Sequence, residues 1–188
     1  MSEFPEDAGK ELTGLARAAI AQRRMSPIEA ATSTNAAWLD APGAAFVTLT
    51  QRGQLRGCIG SLVAHRALRD DVEANARAAA FDDPRFMPLQ PDELAHTRIE
   101  VSVLSAPVPM SFTSRQDALA QLRPGIDGVI LSAGRRRATF LPQVWDELPD
   151  VEDFIAHLFR KAGLPANYWA DDVTISRYTV TAFIEDEP

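Results

Sequence analysis

The chain has 188 residues, of which 46% are hydrophobic and 24% are charged, values typical of a globular protein with a sizeable core. Its net charge of −7 argues against general electrostatic attraction to nucleic acid or anionic membranes, and no apolar run approaches the roughly 18 residues of a membrane span. Since the acidic start differs from a secretory signal and the single cysteine cannot form an internal disulfide, we expect a cytoplasmic protein that binds neither nucleic acid nor a membrane.

The first half of the chain contains patterns for a helix, a β-hairpin, a second helix and a strand. Apolar residues at helical spacing indicate the two helices, and β-branched residues interrupted by a turn at 51–53 indicate the hairpin. The second helix is expected to end before Pro84, because proline disfavours helical geometry in the residue that precedes it. The predicted elements span residues 9–24, 44–62, 66–82 and 97–104.

The second half mixes helices and strands in the same way. Ser114 and Asp150 are suitable N-caps for two helices, and a glycine-arginine turn at 134–136 predicts a second hairpin. Because the strands come as hairpins without strict β-α-β alternation, we expect the α+β class with mainly antiparallel sheets. The predicted helices span residues 114–122, 142–148 and 150–165, and the last strand spans 173–184.

The stretch LRGCIGSL at 55–62 is the first candidate site. In a regular strand side chains alternate, so Arg56 and Cys58 should share one face, where a guanidinium would favour a thiolate. Gly57 and Gly60 each weaken a strand by roughly 1 kcal/mol, which predicts a bulge, a positive φ or a close approach of another group. Cys58 is therefore either a nucleophile beside a ligand or a small buried apolar residue.

Four further residues join this candidate site. Asp83 and Arg85 flank Pro84 at the end of a helix, where a fixed turn would hold an ion pair, although Asp-Pro is also ordinary turn chemistry. Glu100 lies on the polar face of its strand, either as a functional carboxylate or as part of a solvated face. Asn75 falls near the apolar stripe of its helix, an unusual place for an amide.

These residue types support two sets of candidate roles. Cys58 would be a nucleophile, with Asp83 or Glu100 as general base. The predicted ligand-binding residues are Arg56, Gly57, Gly60, Asn75 and Arg85.

Other common functional signatures are absent from the sequence. There is no nucleotide-binding glycine motif and no Cys-x-x-Cys pair, and the histidines at 65, 96 and 157 have no metal-ligand spacing, so we expect no metal. Three arginines at 135–137 would suit an anion or nucleic acid, but such clusters are more often solvated.

The order of several motifs along the chain resembles the AMMECR family, whose bacterial form is called AmmeMemoRadiSam system protein A. The similarity covers residues 12–184, and its most specific parts are LRGCIG and FLPQVW. The matching segments read LRGCIGSL, NARAAAFDDPRF, IEVSVLS, FLPQVWDELPD and FIAHLFRKAGL.

The resemblance implies a single domain over residues 1–188, or two α+β lobes over about 1–110 and 111–188. It implies a protein without a cofactor that acts in one pathway with a Memo-like protein and a radical-SAM protein. No catalytic role is carried over with it. The family's motif residues in this chain are Arg56, Gly57, Cys58, Gly60, Asn75, Asp83, Arg85, Phe86, Glu100, Asp127, Phe140, Pro142, Gln143 and Lys161.

Two functional hypotheses therefore stay open. The first is an enzyme or pathway component that binds a small molecule beside LRGCIG. The second is an interaction module, without turnover, that docks a Memo-like or radical-SAM partner through its loops.

Overall fold

The computed structural model describes residues 4–22 and 36–185 and divides into two compact units. Unit 1 comprises Met1–Leu104 and Thr181–Pro188, and unit 2 comprises Ser105–Val180. Each unit combines helices with a sheet that contains antiparallel pairs, which confirms the predicted α+β class. None of the helices in the described ranges is long and apolar enough to cross a membrane.

In the described part of unit 1, two helices pack on one sheet. The strands follow the order β2-β1-β4-β9, with the short strand β3 also paired to β1. Alternate residues of β1 and β4 are fully buried against the helices, as period-two patterning requires. The elements are α1 (Ala8–Gln22), β1 (Pro42–Gln51), β2 (Gln54–Gly60), β3 (Arg66–Ala67), α2 (Leu68–Phe81), β4 (Arg98–Leu104) and β9 (Val180–Ile184), with short 3₁₀ segments at Ala37–Asp40 and Leu94–His96.

Helix α2 crosses β2 at Gly57. A Cβ added at Gly57 would overlap the backbone carbonyl of Ala79, so only glycine allows the two backbones to come this close. This contact explains one of the two glycines in LRGCIG. It also determines where α2 ends relative to the outer edge of β2.

Unit 2 contains a second sheet, in the order β5-β8-β6-β7, with three helices. Its core includes the stacked rings of Trp145 and Phe154, whose centroids are 3.6 Å apart. Ser114 and Asp150 cap their helices, as predicted, by accepting backbone N–H hydrogen bonds. The elements are β5 (Val108–Pro109), α3 (Arg115–Ala120), β6 (Gly128–Ala133), β7 (Arg136–Phe140), α4 (Val144–Glu147), α5 (Val151–Lys161) and β8 (Val173–Tyr178).

Several element boundaries differ from the sequence predictions. The first helix is found as Ala8–Gln22, and the last two predicted residues, 23 and 24, lie outside the described residues. The second helix begins only at Leu68, because the two residues before it pair with β1 as β3. The single strand predicted over 173–184 is two strands, which break at Thr179 and join different sheets.

The packing at Gly57 leads to a test of stability. Gly57→Ala should lower the free energy of unfolding by about 2 kcal/mol or more, because the added methyl group displaces α2 from β2. Gly14→Ala is the matched control, since a Cβ at that helical position meets nothing within 4 Å and should stabilise by up to about 1 kcal/mol. Urea denaturation measures both values, and equal stability of the two variants would contradict the assigned contact.

Candidate functional site

A β-bulge divides the LRGCIG motif into two parts. Leu49 of β1 pairs with Gly57 and Thr50 pairs with Leu55, so Arg56 is an extra residue without a partner on β1. Such an insertion interrupts the alternation of side chains along β2. Residues on either side of the bulge therefore do not follow the simple pattern of a regular strand.

The Arg56 side chain is fixed by an ion pair with Glu93. Its Nε and Nη2 donate to the two carboxylate oxygens of Glu93, both at 3.0 Å. Glu93 also accepts from the backbone N–H of Gln90 at 2.6 Å and from the Gln51 amide at 3.4 Å. These bonds, those from Arg56 first, lower the pKa of Glu93 to about 2. Arg56 is thus held rigidly, and its guanidinium lies 6.0 Å from the centre of the Phe86 ring.

The prediction that Arg56 and Cys58 share one face is wrong. Along β1, Gln51 lies on the same face as the buried Leu49, and Gln51 contacts the carboxylate that binds Arg56. Cys58 is paired with Thr48, which lies on the opposite face. The bulge at Arg56 is the physical reason, since it shifts the register by one residue.

A cavity of about 570 Å³ lies beside Arg56, at the end of the β1–β2 hairpin. Its walls come from the hairpin and from the segment before β4, and seven of the eight lining residues have polar or charged side chains. The Arg56–Glu93 ion pair forms part of these walls. The lining residues are Gln51, Arg52, Gln54, Leu55, Arg56, Asp92, Glu93 and His96.

Cys58 and Glu100 lie on the opposite face of the same sheet, in one row across three strands. Thr48 stands between them, because it pairs with Cys58 on one side and with Glu100 on the other. The Thr48 hydroxyl donates to Cys58 Sγ at 3.4 Å, and Ser102 Oγ donates to Glu100 Oε1 at 3.0 Å. Cys58 is half-buried. The structure therefore brings Cys58 and Glu100 to one face but separates both from the cavity beside Arg56.

Asp83 and Arg85 bind the backbone of β2 at its outer edge. Asp83 Oδ2 accepts from the N–H of Cys58 at 2.9 Å, and Arg85 Nη2 donates to the C=O of Cys58 at 3.1 Å. Arg85 also binds Asp83 through its side chain and its backbone N–H. The two side chains satisfy groups that a further strand would otherwise pair with.

This arrangement holds Asp83 in its charged form. The hydrogen bond from the Arg85 side chain, with those from two backbone N–H groups, keeps the pKa of Asp83 well below its ordinary value. The same ion pair raises the pKa of Arg85. A carboxylate so strongly stabilised is a weak proton acceptor, so the geometry favours a positioning role for Asp83 rather than that of a general base.

Close packing also requires a glycine at position 60. A Cβ at Gly60 would overlap the ring of Phe46, its partner on β1. Both glycines of the motif are therefore explained by close contacts within unit 1. This observation does not require a ligand near them.

Asn75 belongs to a buried polar network centred on Asp71. Asn75 is 5% exposed, and its amide donates to the backbone C=O of Ala45 at 2.9 Å and to Asp71 Oδ2 at 3.0 Å. Asp71 is fully buried and also accepts from Ser61 Oγ at 2.7 Å and from Arg66 Nε at 2.8 Å. The amide nitrogen of Asn75 is thus bonded to protein groups, and it anchors α2 to β1.

Sequence reasoning missed Glu93 and Asp71, the two carboxylates that organise these networks. Glu93 lies in a Pro-Asp-Glu-Leu turn, and nothing local indicates that it binds an arginine 37 positions earlier. The position of Asp71 gave a weak indication of its role, since it lies four residues before Asn75 and therefore on the same face of the helix. Two polar side chains on a buried stripe predict a mutual hydrogen bond.

The other candidate groups do not form a second site. Arg136, in the 135–137 cluster, donates to the carbonyl of Gly163 at 2.6 Å, after the C-terminal end of α5. Within residues 4–22 and 36–185, no group of three or more His, Cys, Asp or Glu side chains is placed to hold a metal ion.

Comparison with known proteins places this geometry in a family context. The AMMECR1 family model matches residues 13–183. A protein of Methanothermobacter thermautotrophicus is 41% identical over 143 residues, covering 75% of this chain and 74% of that protein. A protein of Saccharolobus solfataricus is 37% identical over 200 aligned positions, covering all of this chain and 86% of that protein. The crystal structure of the uncharacterized protein PH0010 from Pyrococcus horikoshii superimposes with a TM-score of 0.81 at 32% identity, covering 100% of this chain and 96% of that one.

The Asp83 contacts predict a specific pH dependence. The depressed pKa of Asp83 means that its carboxylate stabilises the fold above about pH 4, its ordinary unfolded value, and that this contribution is lost as the pH falls toward the folded-state pKa. Asp83→Asn should therefore cost about 2 kcal/mol near pH 7, with a difference from the wild type that shrinks below pH 4.

Chemical denaturation at a series of pH values measures this difference. Asp171→Asn is the control, because Asp171 is exposed and has no side-chain partner in the described part of the chain. A cost for Asp83→Asn that is constant between pH 7 and pH 2 would show that its charge does not stabilise the β2 edge.

Proposed function

The chain belongs to the AMMECR1 family, and from this premise we propose that it binds a small polar molecule in the cavity beside Arg56. The cavity carries the proposal, because a predicted binding residue of LRGCIG lines a space of ligand size there. Its volume of about 570 Å³ lies within the usual range for small-molecule sites.

Arg56 supports binding by being preorganised. Two of its nitrogens are tied to Glu93, and its guanidinium packs near the Phe86 ring, so little side-chain entropy is lost when a ligand fills the cavity. The ion pair also neutralises both charges. A ligand therefore meets a fixed polar wall rather than a bare cation.

We assign no bond-making step to this site. Cys58 and Glu100 lie further along the sheet, paired on either side of Thr48, and are not among the residues that line the cavity. We place the protein in the cytoplasm, as a component of the pathway with the Memo-like and radical-SAM proteins that the family resemblance suggests. In that setting the bound molecule is a metabolite or intermediate shared with those partners.

A second candidate function, partner docking, is favoured by the loop at 62–65. Leu62 and Val63 are 40% and 54% exposed, directly after LRGCIGS. Ser61 and Arg66, at the two ends of this loop, both bind the buried carboxylate of Asp71. The loop is thus an exposed apolar feature with fixed ends, which reduces the entropy cost of binding another protein.

Variants of the exposed leucines at 55 and 62 test whether a ligand binds in this cavity. Leu55→Trp should obstruct the cavity, while Leu62→Trp changes a similarly exposed leucine outside it. The wild type and Leu62→Trp should show a rise in Tm with at least one compound among amino acids, dicarboxylic acids and sugar phosphates tested singly at millimolar concentration. Leu55→Trp should lose that shift. A shift that Leu55→Trp retains would place the ligand elsewhere, and no shift with any compound would count against the proposal.

Partner docking is tested by changing Leu62 and using Leu55 as the control position. If the loop binds a partner, Leu62→Asp should weaken association with the purified Memo-like or radical-SAM protein of the same organism by at least about tenfold, because a buried unpaired charge is costly. Leu55→Asp is the matched control and should bind normally. Interferometry on immobilised full-length protein gives both dissociation constants, and equal affinities would exclude the loop as the docking surface.

A further inference from the structure

We infer that the ligand of the cavity beside Arg56 is a zwitterion of amino-acid type, carrying both an anionic group and an ammonium group. This inference rests on the proposed function, since it names the class of molecule that the cavity accepts. It follows from three charged or ionisable side chains of the cavity wall that have no partner among the described residues.

The first of these side chains is Arg52, which occupies a strained position. Arg52 has a φ of 51°, and Gly53 after it has a φ of 75°, as expected for the two central residues of a type I′ hairpin turn. Asn, Asp or Gly are the favoured residues at the first of these positions, and a longer side chain in the left-handed region costs on the order of 1 kcal/mol. An arginine in this place puts a guanidinium on the cavity wall at the expense of backbone strain.

The other two are Asp92 and His96, which line the same cavity from the segment before β4. Across the described ranges 4–22 and 36–185, the side chains of Arg52, Asp92 and His96 have no hydrogen-bond or ion-pair partner. Arg56 and Glu93, by contrast, neutralise each other. The cavity therefore offers one unpaired guanidinium, one unpaired carboxylate and an imidazole.

This charge pattern discriminates between ligand classes. A purely anionic ligand would pair with Arg52 but be repelled by the like charge of Asp92. A purely cationic ligand would pair with Asp92 but be repelled by Arg52. A zwitterion places each of its charges opposite a partner, with the amides of Gln51 and Gln54 and the side chain of Leu55 beside its remaining atoms. The cavity volume suits a free amino acid or a dipeptide.

The test is calorimetric titration of the full-length protein with the twenty L-amino acids and the twenty dipeptides of the form X-alanine. The best binder is then compared with its N-acetyl and C-terminal amide derivatives. Each derivative removes one charge and should bind about tenfold or more weakly, the equivalent of one lost ion pair of about 1.4 kcal/mol.

Two variants assign the charges to their partners. Arg52→Gln should lose the preference for the free carboxylate over the amide but keep the preference for the free amine. Asp92→Asn should show the opposite pattern. Both side chains are exposed, so thermal unfolding should confirm that each variant stays folded.

The outcomes distinguish the inference from the function on which it rests. Equal binding of the acetylated or amidated derivative would overturn the zwitterion assignment. The same conclusion follows if no amino acid or dipeptide binds while a sugar phosphate or dicarboxylic acid gives a Tm shift that Leu55→Trp abolishes, and in that case the cavity keeps its function. If no compound of any class binds, both the zwitterion assignment and the proposed binding function are overturned.

Discussion

The approach of α2 to β2 at Gly57 is the contact on which the candidate site depends. Because there is no side chain at Gly57, the backbone of α2 lies directly on β2, and the chain leaves the helix at the outer edge of that strand. Asp83 and Arg85 follow immediately and bind the backbone of Cys58. A side chain at Gly57 would move the helix end, and with it the two residues that cover the edge of the sheet.

Three carboxylates then fix the segments around this contact. Asp71 holds both ends of the 62–65 loop, Asp83 holds the edge of β2, and Glu93 holds Arg56 in the bulge. Each carboxylate binds an arginine together with at least one other donor. Such multiply bonded carboxylates are specific in geometry, because removing any one partner leaves a desolvated charge behind. These polar groups of unit 1 therefore serve mainly to place backbone segments.

The sequence patterns predicted the class of fold well and the site only in part. Periodicity and capping located the helices, since Ser114 and Asp150 act locally on the turns that they begin. The alternation rule mispredicted the face on which Arg56 lies. A bulge shifts the register of a strand, and its position depends on how that strand pairs with its partner. Glu93 was missed for a related reason: its partner is distant in sequence, and no local rule connects them. The strand predicted over 173–184 was divided at Thr179, because its two halves pair with different sheets.

The order of the strands in unit 1 has a consequence for vectorial folding on the ribosome. Strand β9 pairs beside β4, yet all of unit 2 lies between them in the chain. Glu185, just after β9, accepts from Nε of Arg17 in α1 at 2.6 Å, and its backbone N–H donates to the C=O of Ile99 at 2.9 Å. Its backbone C=O accepts from Arg98 Nε at 2.9 Å. The nascent sheet therefore keeps an unpaired edge at β4 throughout the synthesis of unit 2, and its closure is a late, non-local step of the kind that limits folding rates.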